Sequence, residues 1–89
     1  MEKETILKIA MGRFEAGYRV AYIHLWGDPN RIRNYAGAWI KNLGDSYEVT
    51  TVGRLFGSNP EPHIFTLPTV EEAAERILII WESYEVESL

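Results

Sequence analysis

The side chains able to do chemistry in this chain are few and do not converge. His24 and His63 are its only histidines. They fall on different predicted strands and have no acidic ligand at a spacing from which a zinc site is built. Ser46, Ser58, Ser83 and Ser88 lie in no nucleophile motif. The stretch Gly27-Asp28-Pro29-Asn30 precedes a predicted helix but lacks the glycine-rich spacing and the lysine of a phosphate loop, and Asp28 would repel an anion there. Arg13 and Arg54 each follow a glycine at equivalent points of two predicted strands, where they could together clamp a carboxylate or phosphate. Arginines at strand ends are more often simply solvated. Cysteine is absent, which removes disulfides, thiolate ligands and a thiol nucleophile together. The expectation is a non-enzymatic chain with no metal and no cofactor, because active-site inference needs converging groups.

Rings are more prominent than reactive groups. Across residues 18–26 one alternation carries Ala21, Ile23 and Leu25, and the other carries Tyr18, Val20, Tyr22, His24 and Trp26. If the aliphatic set faces a core, the second set lies on an open sheet face, each ring offering a flat apolar body and a polar edge. Such a row suits a protein partner, since Tyr and Trp are favoured at interfaces. It would also stack unpaired bases, or be ordinary core beneath a further layer. With Arg13 and Arg54 at its margins, the row Tyr18, Tyr22, His24 and Trp26 is the candidate partner-binding surface.

The elements that would position these residues follow one order twice. Residues 5–12 and 18–26 read as two runs joined by a turn, followed by a helix over 28–43. Residues 47–56 and 63–67 repeat the two runs, followed by a helix from 69 to 85. Sliding the chain by 41 residues superposes Gly12-Arg13 on Gly53-Arg54 and Ile23 on Ile64. So few identities make this a likeness of pattern only.

The predicted fold class is α+β: a two-layer domain with a four-stranded, mainly antiparallel sheet and two helices on one face, in the order ββαββα. Leu7, Ile9 and Met11 alternate with Lys8, Ala10 and Gly12 as a strand would. Leu7, Met11, Phe14 and Tyr18 also fall at helical spacing, and a helix there would change the order to αβαββα.

Asp28-Pro29 supplies a helix start and Gly44 a left-handed stop. Between them Ile32, Tyr35, Ala36, Trp39, Ile40 and Leu43 form a stripe at helical spacing, leaving Arg31, Arg33, Asn34, Lys41 and Asn42 outside. Thr69-Val70-Glu71-Glu72 is a capping box, followed by a stripe of Val70, Ala73, Ala74, Ile77, Trp81 and Tyr84. Leu78, Ile79 and Ile80 widen that stripe until the helix is apolar nearly all round, which predicts either deep burial or a homodimer seam. Gly57-Ser58-Asn59-Pro60-Glu61-Pro62 reads as a rigid exposed loop.

At 89 residues the chain has room for one domain, residues 1–89, and buries only about 60–65% of its unfolded surface. A hydrophobic content of 46%, with three Trp, five Tyr and three Phe, excludes a disordered tail. Met1-Glu2-Lys3-Glu4 alternates charge where a signal peptide needs a basic and then an apolar segment. The longest aliphatic and aromatic run, residues 77–81, is far short of the ~20 residues that span a bilayer. A cytoplasmic protein is the expectation.

The net charge of −4 is uneven: residues 1–54 carry +2 and residues 55–89 carry −6. Such runs are usually solvated faces, but opposite-sign regions also steer a partner or a second copy. The function expected is protein–protein interaction by a small regulatory module, a homodimer that acts as an adaptor or as an inhibitor of another macromolecule, as small phage inhibitors do. The alternative is single-stranded nucleic-acid binding on the aromatic face, favoured by Arg13, Arg19, Arg31, Arg33, Lys41 and Arg54 and opposed by an isoelectric point near 5.1. An enzyme or small-ligand binder has only generic residues behind it.

Overall fold

The computed structural model describes residues 2–27, 30, 35–54 and 63–88. Its elements are α1 (Lys3–Glu15), β1 (Val20–Gly27), β2 (Tyr35–Asn42), β3 (Tyr47–Arg54), β4 (His63–Leu67) and α2 (Val70–Ser88). The class is α+β, and the order is αββββα. The four strands form one antiparallel meander in the order β1-β2-β3-β4, which leaves β1 and β4 as its edges.

Two expectations are overturned. Residues 5–12 are helical, not a strand. Ile6 and Ala10 are fully buried, and Leu7 and Phe14 pack beside them, whereas Ile9 and Met11, which the strand alternation placed inside, are exposed. The spacing 6, 7, 10 and 14 is a helical stripe. Gly17 then ends the helix. At φ 97° it occupies the left-handed region that costs an L side chain energy. The Tyr18 N–H donates to the Arg13 carbonyl at 3.0 Å and the Gly17 N–H to the Phe14 carbonyl at 3.1 Å. That pair of bonds is the Schellman motif, which satisfies the last carbonyls of the helix.

The predicted helix over 28–43 is also absent where it is described, because residues 35–42 are the strand β2. Ala36, Ala38 and Ile40 are fully buried while Trp39 is exposed, a period of two hidden beneath the apparent helical stripe. Gly44 does adopt the left-handed region. It does so in the β2–β3 hairpin, where its N–H donates to Asn42 Oδ1 at 2.8 Å. The cap Asp28-Pro29, Arg31, Ile32, Arg33 and Asn34, and the loop at 57–62, lie outside the described residues.

α1 packs on β1 and on α2, and α2 packs on β2, β3 and β4. Their buried side chains join Ala21, Ile23, Ala38, Ile40 and Val49 of the sheet in one cluster. Within it Ala21 stands opposite Ile40 and Ile23 opposite Ala38, so each large residue meets a small one across the strands and the layer interdigitates.

Aromatic contacts tie the periphery, with the Phe14 and Tyr47 rings 5.8 Å apart and the Arg76 guanidinium 4.9 Å from the Phe65 ring centre. Lys3 Nζ meets Glu75 Oε1 at 3.0 Å between the helices. This hydrogen bond and the charge of Glu75 raise the Lys3 pKa above 10.5. As an exposed pair it contributes little to stability. The capping box forms in its forward half, the Glu72 N–H donating to Thr69 Oγ1 at 3.2 Å. No helix among the described residues is long and apolar enough to cross a membrane.

Candidate binding surface on the open sheet face

Because alternate residues of a strand point to opposite faces, burying Ala21 and Ile23 turns Val20, Tyr22 and His24 outward, and all three are exposed. On β2 the same alternation turns Gly37, Trp39 and Lys41 outward. The antiparallel register then assembles rows across the sheet, since directly opposed residues share a face. Tyr22 is opposite Trp39, Trp39 opposite Thr50, and Thr50 opposite Ile64. One further row holds Val20, Lys41, Glu48 and Thr66, and another holds His24, Gly37 and Val52.

The centre of this face is a ring cluster. Tyr22 and Trp39 have ring centroids 5.2 Å apart at 46°, and Tyr22 and His24 lie 6.4 Å apart at 50°, both within the range of tilted aromatic pairs. Gly37 supplies the floor. A Cβ placed there would sit 2.6 Å from the Tyr22 hydroxyl and 2.9 Å from its Cε2, so only glycine lets that ring lie across β2. Tyr22 is 37% exposed, Trp39 36% and Ile64 64%. Three of the four members of the middle row, Tyr22, Trp39 and Ile64, are therefore large side chains open to solvent. Its described charges are Lys41 and Glu48, which face each other across β2 and β3.

The predicted row does not survive whole. The register slips between His24 and Trp26, and Trp26 pairs with Ala36, whose methyl group is buried in the protein. Leu25 is the extra residue and packs against the core. A bulge on an edge strand re-aims the side chains beyond it, so Trp26, 42% exposed, stands on the helix side of the sheet's end and does not continue the line of Tyr22 and His24. Tyr18 precedes β1 and lies with its ring 5.6 Å from the Arg13 guanidinium.

Arg13 and Arg54 are not brought together. Arg13 is tied by its carbonyl to Tyr18, just before β1. Arg54 pairs with Tyr35, which pairs with Gly27 at the end of β1, about 23 Å of strand away. The Arg54 side chain lies outside the described residues. His63 occupies the register position opposite Thr51, on the buried alternation, and His24 is on the other face. Among the described residues no group of His, Cys, Asp and Glu could hold a metal ion.

On α2 the three predicted seam residues separate. Leu78 packs against the protein's own core and Ile80 is half-buried. Ile79 is 59% exposed, with Glu75 and Glu82 exposed one turn to either side. The Tyr84 side chain lies outside the described residues.

Trp39, Gly37 and Ile64 are central to the open face and were not among the candidate residues. Ala36-Gly37-Ala38-Trp39-Ile40-Lys41 carries their signal, an alternation written in alanines. No protein-family model matches the chain, and no curated protein or solved structure shows significant similarity to it.

Proposed function

We propose that this chain is a non-enzymatic protein-binding module of regulatory type that binds protein through the open sheet face. It works as a two-layer domain, with the helices supporting one side of the sheet and recognition on the other. The observation behind this is the continuous row Tyr22–Trp39–Thr50–Ile64 across all four strands, in which three of the four side chains are large and exposed, with Lys41, Glu48 and Thr66 along one border, a composition that suits a protein interface.

Single-stranded nucleic acid is the second reading, on the strength of the exposed rings. It is the weaker one because a stacking platform needs cations to track the phosphates, and among the described side chains of this face Lys41 is matched by Glu48. Lys8 and Arg13 are on α1.

A photo-crosslinking amino acid in place of Thr50, carried by the whole chain in its host cell, tests the proposal. Nuclease-resistant protein adducts are expected, and Trp39→Glu should abolish them. Nuclease-sensitive adducts would establish the second reading, and the lack of any adduct would refute both.

A further inference from the structure

We infer that the partner of the open sheet face is a second copy of the same chain, packed face to face about a two-fold axis that runs parallel to the strands between β2 and β3. This rests on taking that face as a protein-binding surface. The two halves of the face differ in side-chain size and in described charge. The β1–β2 half presents the rings of Tyr22 and Trp39 and the cation Lys41. The β3–β4 half presents the smaller Thr50 and Ile64, and its charge among the described side chains is the carboxylate of Glu48.

A two-fold axis between β2 and β3 lays β2 of one copy over β3 of the other and β1 over β4. An isologous interface must be self-complementary in this way. Trp39 then meets Thr50 of the second copy, Tyr22 meets Ile64, and Lys41 meets Glu48, each contact made twice. Trp39–Thr50 and Lys41–Glu48, which are in register within one chain, thus also face each other between chains. Sheets stack about 10 Å apart with strands inclined by about 30°, which keeps the contacts nearest the axis superposed.

The area is sufficient. Four strands about 4.8 Å apart and up to eight residues long at about 3.3 Å each present roughly 400–500 Å² in projection. Two faces together approach ~1,000 Å², and more in accessible surface, which reaches the lower range of specific interfaces. The helix side is a poorer seam. There Ile79 stands beside Glu82, with Glu75 paired to Lys3 on its other side, and a two-fold contact would bring the Glu82 carboxylates of the two copies together.

Sedimentation equilibrium of the whole chain from about 10 μM to about 1 mM provides the test, with circular dichroism to confirm that each variant is folded. Wild type is expected to dimerise in this range, Ile79→Glu to dimerise equally well, and Trp39→Glu to be monomeric. Lys41→Glu and Glu48→Lys, each alone, should weaken self-association by about tenfold or more. Mixing those two variants should restore a heterodimer, because each then meets an opposite charge. A monomeric wild type at the highest concentration, or charge variants that dimerise unchanged and gain nothing on mixing, would overturn the inference. A monomer that still yields adducts of other mass from the Thr50 crosslinker would leave the sheet face a binding surface and remove only the second copy from it.

Discussion

At Gly37 the missing side chain is what admits the Tyr22 ring, and substitution there separates stability from recognition. An alanine methyl would meet the ring at 2.6–3.0 Å, so the ring must leave β2 and its pairing with Trp39. Losing that pair costs about 0.5–1.5 kcal/mol, while replacing glycine within a strand returns about 0.5–1 kcal/mol. Gly37→Ala is therefore expected to change unfolding free energy by less than about 1 kcal/mol in a denaturant titration. The same variant should lose the Trp39 ring-current shifts on Tyr22 protons in NMR spectra. Thr51 behaves oppositely. It is 1% exposed, and its Oγ1 is buried with no hydrogen-bond partner among the described residues, a desolvated group that costs free energy. Thr51→Val should stabilise by about 1 kcal/mol, seen as a melting temperature higher by about 4–8 °C for a chain of this size.

Among the elements, α2 and α1 were unequally legible. The α2 start was plain, because a capping box is a local device whose partners are three residues apart. Thr69→Ala is expected to cost about 1 kcal/mol, measured by chemical denaturation. β1 was legible through Ala21 and Ile23 on one side and Tyr22 and His24 on the other. α1 was obscured by Gly12, a residue that argues against a helix interior. In the structure Gly12 is on the helix surface, and a Cβ there would meet nothing within 4 Å. Gly12→Ala should consequently stabilise by about 0.5–1 kcal/mol through helix propensity alone, raising the denaturation midpoint without changing the slope. β2 reads as a helix because Tyr35, Ala36, Trp39, Ile40 and Leu43 satisfy helical spacing, while the true alternation rests on Ala36 and Ala38, whose methyl groups carry little hydrophobic contrast. What decides between the two periods is tertiary: β1 and β3 flank β2 on both sides, and no local pattern reports that. The bulge that turns Trp26 away was illegible for the same reason, since it exists only as a slip against a neighbouring strand.

For the whole molecule, charge and topology point the same way. Glu71, Glu72 and Glu82 are exposed on α2, beside a Glu75 that Lys3 pairs with, and give that helix an acidic outer side. The open sheet face offsets Lys41 with Glu48. A second copy would thus be repelled on the helix side and accommodated on the sheet side. The uneven charge seen along the chain helps select a face for association without itself forming the contact. The most direct measurement of that choice is a set of ¹H–¹⁵N correlation spectra of the whole chain recorded from about 20 μM to about 1 mM. Concentration-dependent shifts are predicted at Tyr22, the Trp39 indole, Thr50 and Ile64, with the exposed positions of α1 and α2 unchanged. Shifts gathered instead around Ile79 and Glu82, or spectra invariant across the whole range, would contradict the account.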